Sequence, residues 1–358
     1  MMDDGQLLMR VVLGLLLGVG FLMIYVCCEE EVEVSAHGRT SLPRPAAGAQ
    51  ARIWRYIVVD KFGRGSYTSL QAAIDSIPSG NGTSRGSGSW VHIYVRAGYY
   101  IEKVNIAYDK PYIILQGEGL MRTVIVWGDR AASSYGTANS ATFTANAPNF
   151  IARGISFMNT AAPPSPGAYG GQAVAALLAA DKMALYECGF HGAQDTLFDY
   201  EGRHYFRNCL IEGSIDFIFG HAQSIYKGCT LLVRAQAGYL SGAITAQSRN
   251  ASQETSGFIF ANCTILGKGE AVLGRAWGAY SRVVFMFTYM SDVISPQGWD
   301  DWGSYERQRT VYYGEYKCFG PGANLEYRVP WSHELNDVEA QALLQLSSIN
   351  SDEWLLEI

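Results

Sequence analysis

Two aspartates in the middle of the chain have a type and spacing that could support hydrolytic chemistry. Asp195 follows Cys188 by seven residues, and Asp216 follows Cys209 by the same seven. If these segments are equivalent units of a repeating fold, the two carboxylates lie close together on adjacent units. Two carboxylates held this way cannot both ionise easily, so one pKa rises while the other group stays charged. Such a pair supplies a protonated acid beside an ionised nucleophile or base.

Two glutamines accompany the aspartates. Gln172 and Gln194 are 22 residues apart, and Gln194 directly precedes Asp195. Their side-chain N–H groups could stabilise a developing oxyanion. The alternative is a ladder of polar side chains that only satisfies turns. The apolar run Phe217–Phe219 directly after Asp216 favours the functional interpretation.

A repeat of about 20 residues must position these side chains. The related segments are Leu185–Phe190, Tyr205–Leu210, Ile225–Thr230 and Ile259–Thr264, and the cysteines in the first three are 21 and then 20 residues apart. Short strands with this period indicate a solenoid, in which each coil buries its inner face by stacking on the next at about 4.8 Å. The pattern predicts an all-β parallel β-helix over residues 51–331.

A short helix is predicted at each end of this β-helix. At the N-terminal end, Thr68–Ile77 has apolar residues on one helical face, with Thr68 and Gln71 as a capping box. At the C-terminal end, residues 332–358 form a helical segment capped by Asn336 and Glu339. Its apolar face is predicted to shield an end or a side of the solenoid, and comprises Leu335, Val338, Leu343, Leu344 and Leu346.

The first 50 residues read as a targeting segment and a linker. Residues 1–36 contain the apolar run Val11–Val26, which is short for a membrane span, and Val34–Ala36 offers a small-residue cleavage site. A signal peptide is the favoured interpretation and an uncleaved signal anchor the alternative. Residues 37–50 are the linker. We therefore expect a secreted, extracellular or cell-wall protein.

The charge and the cysteine content further narrow the class of protein. The net charge of −6 argues against nucleic acid as a partner, because nucleic-acid binding needs clustered Lys and Arg. The acceptor sequences at Asn81, Asn250 and Asn262 predict a glycoprotein. Five cysteines follow the leader, and from spacing alone a buried ladder of thiols and a disulfide are equally favoured: Cys188, Cys209, Cys229, Cys263 and Cys318.

Six blocks in order resemble the plant pectin methylesterases. Three signature blocks are Gly192–Leu197, Asp216–Gly220 and Leu273–Gly278; the outer ones are Gly98–Val104, Gly171–Ala175 and Gly320–Ala323. The resemblance spans roughly Tyr56 to Leu355. It implies a right-handed β-helix and an aspartyl esterase that hydrolyses the methyl esters of pectin. It also implies methyl-esterified homogalacturonan as substrate, a proteinaceous inhibitor as partner, a monomer, and no cofactor or metal.

The resemblance also assigns roles residue by residue. It makes Asp216 the nucleophile and Asp195 the general acid and base. Gln194 stabilises the transition state, and Gln172 serves the oxyanion and the substrate. The remaining implied roles are substrate binding by Thr142, Arg275 and Trp277, with Arg275 paired to Asp216, and a disulfide between Cys209 and Cys229.

Two positions depart from the family pattern. Ala276 stands where proline is usual, and His221 stands where asparagine is usual. His221 is interpreted as a partnered loop histidine, with an effect on pH optimum or subsite polarity as the alternative. At the level of function, the alternatives are an inactive pectin-binding homologue and another pectin-active β-helix enzyme.

Overall fold

Short parallel strands succeed one another along most of the chain in a computed structural model of the protein. The structure describes residues 51–81, 88–164, 169–235, 242–345 and 349–356, all within the compact unit Arg44–Ile358. The predicted leader and linker, residues 1–50, lie outside them. Within the described ranges, no helix combines the length and apolar character that crossing a membrane requires.

The strands are mostly three to five residues long. The first thirteen are β1 Arg52–Val59, β2 Ser89–Val95, β3 Gly98–Ile101, β4 Val104–Ile106, β5 Ile113–Gln116, β6 Thr123–Trp127, β7 Phe143–Ala145, β8 Phe150–Arg153, β9 Ser156–Asn159, β10 Ala176–Leu178, β11 Met183–Tyr186, β12 Gly189–His191 and β13 Leu197–Asp199. The others are β14 Arg203–Arg207, β15 Leu210–Gly213, β16 Ile218–Gly220, β17 Gln223–Lys227, β18 Thr230–Arg234, β19 Gly242–Gln247, β20 Gly257–Ala261, β21 Thr264–Lys268, β22 Ala271–Arg275, β23 Arg282–Met286, β24 Tyr289–Met290, β25 Trp299–Asp300, β26 Tyr312–Tyr316 and β27 His333–Glu334.

These strands form three parallel sheets that the chain visits in turn. Sheet I has the order β1-β2-β5-β8-β11-β14-β17-β20-β23-β26-β27. Sheet II has the order β24-β21-β18-β15-β12-β9-β6-β3, and sheet III the order β25-β22-β19-β16-β13-β10-β7-β4. One strand in each sheet makes one coil, and every neighbouring pair is parallel. The predicted right-handed parallel β-helix is confirmed.

Stacked aromatic rings fill part of the interior. Phe206, Tyr226, Phe260 and Phe285 occupy successive strands of sheet I, with ring centroids 4.4–4.5 Å apart and nearly parallel planes. All four are fully buried. In-register strands lie about 4.8 Å apart, which is close to the distance between the centroids of stacked aromatic rings. Aromatic residues can therefore recur coil after coil without leaving a gap.

The cysteines form a ladder of thiols, which corrects the disulfide that the family resemblance implied. All five described cysteines are free. Strand pairing on either side places Cys209 directly over Cys229, and both are buried. Side chains stacked this way have Cβ atoms about one strand spacing apart, roughly 4.8 Å, whereas a disulfide prefers about 3.8 Å. The Sγ of Cys209 instead donates to the carbonyl oxygen of Leu185, 3.4 Å away.

The described part of the chain has three short α-helices, which lie between or after the strands: α1 Leu70–Asp75, α2 Ala131–Ser134 and α3 Asp337–Leu344. The predicted cap of the first one is wrong, because Ser69 and not Thr68 is the N-cap. The carboxylate of Glu102 accepts hydrogen bonds from Ser69 Oγ at 2.7 Å, Leu70 N at 2.8 Å and Gln71 N at 3.0 Å. A carboxylate at a helix N-terminus accepts hydrogen bonds from the unpaired N–H groups there, and its negative charge interacts favourably with the helix dipole. This explains the glutamate of the block Gly98–Val104.

Helix α3 and residues 349–356 cover the outer face of sheet I, whereas Leu346, which was predicted on the same apolar face, lies outside the described residues. The predicted cap is confirmed: Asn336 accepts from Val338 N and Glu339 N, and Glu339 accepts from Asn336 N. Ala340, Ile349 and Trp354 pack against outward-facing residues of sheet I. Val338 is 78% exposed, so its predicted place on the apolar face is wrong. The segment shields a side of the solenoid.

The Glu102 cap generates the first prediction. Glu102→Gln leaves one oxygen to serve three donors and removes the charge, so we expect the free energy of unfolding to fall by about 1–2 kcal/mol. Urea unfolding measures this change. The matched control Glu270→Gln changes an exposed glutamate and should leave stability unaltered. Equal stability of the two variants would contradict the role assigned to Glu102.

Candidate active site

Asp195 and Asp216 lie in the turns that lead from sheet II into sheet III, on adjacent coils. Gln194 and Ile215, the residues before them, form a parallel bridge, and Asp195 N donates to Ile215 O at 3.1 Å. The predicted register of the two carboxylates is therefore confirmed. Both aspartates have left-handed backbone angles, φ 61° and 49°, which turn their side chains out of the strand alternation. They are only 8% and 6% exposed.

The two glutamines lie beside this pair on successive coils. Ala173 N donates to Gln194 O at 3.0 Å, so the turn that carries Gln172 stacks on the turn that carries Gln194. The Gln194 side chain lies over Gly171, where a Cβ would approach its Oε1 to 3.3 Å. The structure thus brings Gln172, Gln194 and Asp195 to one edge of sheet III, as the repeat predicted.

Arg275 reaches Asp216 from the outer face of sheet III. Its Nε donates to Asp216 Oδ1 at 2.9 Å and its Nη2 donates to Oδ2, a bidentate ion pair. Strand pairing places six outward-facing residues in one row, which we call the outer row: Leu177, Phe198, Phe219, Ala246, Arg275 and Asp300. The small side chain of Ala246 separates Arg275 from the preceding coils and leaves room for the long arginine to extend towards Asp216.

Burial and charge act differently on the two carboxyl groups. Burial, reinforced by the negative charge of Asp216, raises the pKa of Asp195 well above its usual value. Burial also raises the pKa of Asp216, but the hydrogen bonds and charge of Arg275 oppose that effect. Arg275 hydrogen-bonds Asp216 and acts on Asp195 only through its charge. The environment therefore favours a protonated Asp195 beside an ionised Asp216.

Aromatic side chains line the surface next to the carboxylates. Trp277 is 40% exposed, with its ring 6.1 Å from that of Phe219, and Phe219 stacks on Phe198 at 4.2 Å. Trp302 is 38% exposed and lies under the guanidinium of Arg275, 4.3 Å from its carbon to the ring centroid. Sequence reasoning missed Trp302. Continuing the repeat by one more coil could have found it. Arg275 pairs with Asp300 on the next coil, and Trp302 follows Asp300 by two residues.

Thr142, for which the resemblance implied a substrate contact, lies just before β7. Its side chain is fully buried, and its hydroxyl donates to Met158 O at 3.0 Å. This bond gives the Thr142 side chain a structural role between two coils, and the substrate contact that the resemblance implies stays a prediction. It is the strand-pairing equivalent of Thr196, whose hydroxyl also bonds a main-chain carbonyl.

His221 lies at the opposite end of β16 from Asp216. Its Nδ1 is 3.0 Å from Ser248 O, and its Nε2 is 3.1 Å from Glu254 Oε2. Both ring nitrogens thus have partners, which agrees with the interpretation of a partnered loop histidine.

An acid and an ionised carboxylate side by side under an exposed aromatic surface provide what acyl transfer to water requires. The fold and the site therefore define the class as a hydrolase that uses a pair of carboxyl groups on a parallel β-helix.

Comparison with known proteins narrows this class to one family. Residues 56–350 match the Pectinesterase family model. Probable pectinesterase 8 of Arabidopsis thaliana is 46% identical over 305 residues, which cover 84% of this chain and 76% of the relative. The solved pectin methylesterase from carrot superposes with a TM-score of 0.77 at 33% identity, over 84% of this chain and 94% of that one. A pectin methylesterase in complex with hexasaccharide VII superposes with a TM-score of 0.70 at 25% identity, over 84% and 98%. The chain belongs to the pectinesterase family.

The aromatic surface generates the second prediction. Trp277→Ala removes a half-exposed ring, so we expect the free energy of unfolding to fall by about 1 kcal/mol or less. Pectinesterase activity should fall about two- to tenfold, the equivalent of an aromatic contact of about 0.5–1.5 kcal/mol. Phe219→Ala is the matched comparison, because Phe219 is buried and its loss should lower stability by about 3–5 kcal/mol. Thermal unfolding and activity of both variants check this. A loss of stability in Trp277→Ala equal to that in Phe219→Ala would make Trp277 a core residue.

Proposed function

We propose that this protein hydrolyses the methyl esters of galacturonate residues in pectin, releasing methanol and leaving de-esterified pectate. The observation that carries the proposal is the unequal carboxylate pair: two buried, in-register aspartates of which only Asp216 is held by an arginine. A polymeric substrate is supported by the related pectin methylesterase solved with a hexasaccharide and by the exposed rings of Trp277 and Trp302, which suit stacking on sugar rings.

Asp216 is the nucleophile in this proposal. Its carboxylate attacks the ester carbonyl carbon, and the carbonyl electrons move onto oxygen, where the side-chain N–H groups of Gln172 and Gln194 stabilise the negative charge. The C–O bond to methoxide then breaks while Asp195 delivers its proton, so methanol leaves and an acyl-enzyme anhydride remains. Asp195, now ionised, takes a proton from water, and the resulting hydroxide cleaves the anhydride and regenerates both carboxyl groups.

Methanol release is the test of this function. The purified chain should liberate methanol from highly methylated pectin and none from fully de-esterified polygalacturonate. The uronide polymer should remain intact by size-exclusion chromatography. A fall in polymer size without methanol would identify another pectin-active enzyme, and pectin binding without either change would identify an inactive homologue.

Isosteric variants test the two aspartate roles. Asp216→Asn should abolish turnover, because an amide is a poor nucleophile. Asp195→Asn should retain weak activity, lower by about 10²–10⁴, the usual range for loss of a general acid and base. Initial rates of methanol release measure both. A retained rate in Asp216→Asn together with complete loss in Asp195→Asn would reverse the assignments.

We further propose that the protein acts outside the cell on wall pectin, as the targeting segment predicts. Of the three predicted glycosylation positions, Asn250 and Asn262 are exposed. Asn81 is 3% exposed, and its Nδ2 donates to Pro111 O at 2.7 Å, so it is a poor acceptor in the folded protein. Secretion, a proteinaceous inhibitor and a monomeric state stay predictions.

A further inference from the structure

Asp300 is a third carboxylate at the active site, one to which neither the sequence motifs nor the proposed mechanism gives a part. It follows Arg275 in the outer row, because β22 and β25 pair Arg275 with Asp300. Residues paired in register on parallel strands point to the same face at a spacing of about 4.8 Å. Arg275 therefore has a carboxylate on each side: Asp216, which it binds directly, and Asp300, whose charge also acts on it.

The Asp300 side chain also builds the turn that presents Trp302. Its Oδ1 accepts a hydrogen bond from Trp302 N at 2.8 Å, and Trp302 has a left-handed φ of 61°. A bulky residue rarely adopts that conformation without support, and an aspartate that bonds the N–H two residues ahead is a recurrent device for such turns. In this turn, the ring of Trp302 covers one face of the Arg275 guanidinium.

We propose that Asp300 is a positioning residue that holds Trp302 against Arg275. Its charge also divides the attraction of Arg275 between two carboxylates, so that Asp216 is a stronger nucleophile than it would be if Arg275 interacted with Asp216 alone. The proposal rests on the proposed function. Its two parts are separable, because the turn needs an oxygen acceptor at residue 300 and the electrostatic part needs a negative charge there.

The charged and titratable groups around Asp216 are few within the described part of the chain. Asp195 faces it from the preceding coil, Arg275 from β22 and Asp300 from β25. Tyr313 lies close enough to interact with Asp216 and Asp300, and Arg307 interacts with Tyr313. The charge of Asp300 adds to the effect of burial in raising the pKa of Asp216. Removing that charge leaves Arg275 less opposed, so the pKa of Asp216 falls and the group ionises at lower pH.

Two substitutions at Asp300 separate the electrostatic part of the proposal from the positioning part. Asp300→Asn keeps an oxygen acceptor for Trp302 N and removes the charge. It should shift the acid limb of the kcat/KM profile to lower pH and leave KM within about twofold of the wild type. Asp300→Ala removes both, and should show the same shift plus a loss of about ten- to a hundredfold in kcat/KM, mostly through KM, since the site is misplaced.

Asp301→Asn is the matched control. The same chemical change occurs one residue away, where Asp301 bonds Gly303 N and Gln308 Nε2, so the acid limb should not move. Thermal unfolding confirms that each variant is folded. An unmoved acid limb in Asp300→Asn overturns the electrostatic part, and equal KM values for the Asn and Ala variants overturn the positioning part.

A second measurement does not depend on turnover. Titration of carboxyl-¹³C-aspartate protein by NMR, with Asp216→Asn identifying the signal of Asp216, should show that signal titrating at lower pH in Asp300→Asn than in the wild type. An unchanged titration overturns the electrostatic part even if the wild type proves inactive on pectin. If the signal of Asp216 shifts in Asp300→Asn but the wild type is inactive on pectin, only the proposed function is contradicted.

Discussion

In-register stacking of parallel coils is the constraint on which the rest of this structure depends. Each residue of one coil has its equivalent about 4.8 Å away in the next, so any residue type that recurs with the coil length becomes a row. Aromatic rings form such a row inside the solenoid, and thiols form another. Asp195 and Asp216 are the functional case, because stacking presses together two carboxyl groups that would separate in water.

Stacking alone would make the two carboxylates equivalent, and catalysis requires that they differ. The difference comes from the outer row, which runs across sheet III and ends in Arg275 and Asp300. Arg275 donates two hydrogen bonds to Asp216 and none to Asp195. Because a charged partner within a buried site lowers the pKa of the carboxyl group that it binds, Arg275, two coils away, favours ionisation of Asp216 and leaves Asp195 the more readily protonated of the two.

The sequence was informative wherever a property follows from the repeat. Coil length, the register of Asp195 with Asp216, and the cap of α3 could all be predicted from spacing. The burial of Thr142 could not, because in turns the direction of a side chain depends on local φ and ψ rather than on alternation. Trp302 could not be predicted for the same reason, since it lies in an irregular turn after β25. The free thiols differ from the implied disulfide because equal coil spacing says which residues are neighbours and does not specify their bonding.

A neutron diffraction structure of the deuterium-exchanged protein, at a pH where the enzyme is active, would locate the proton of the carboxyl pair. If the stacked carboxyl groups hold one proton between them and Arg275 determines its place, nuclear density for a deuteron lies on the carboxyl group of Asp195 and none lies on Asp216. A fully deuterated Arg275 is then directed at Asp216. A deuteron on Asp216 with Asp195 ionised would contradict this placement of the proton.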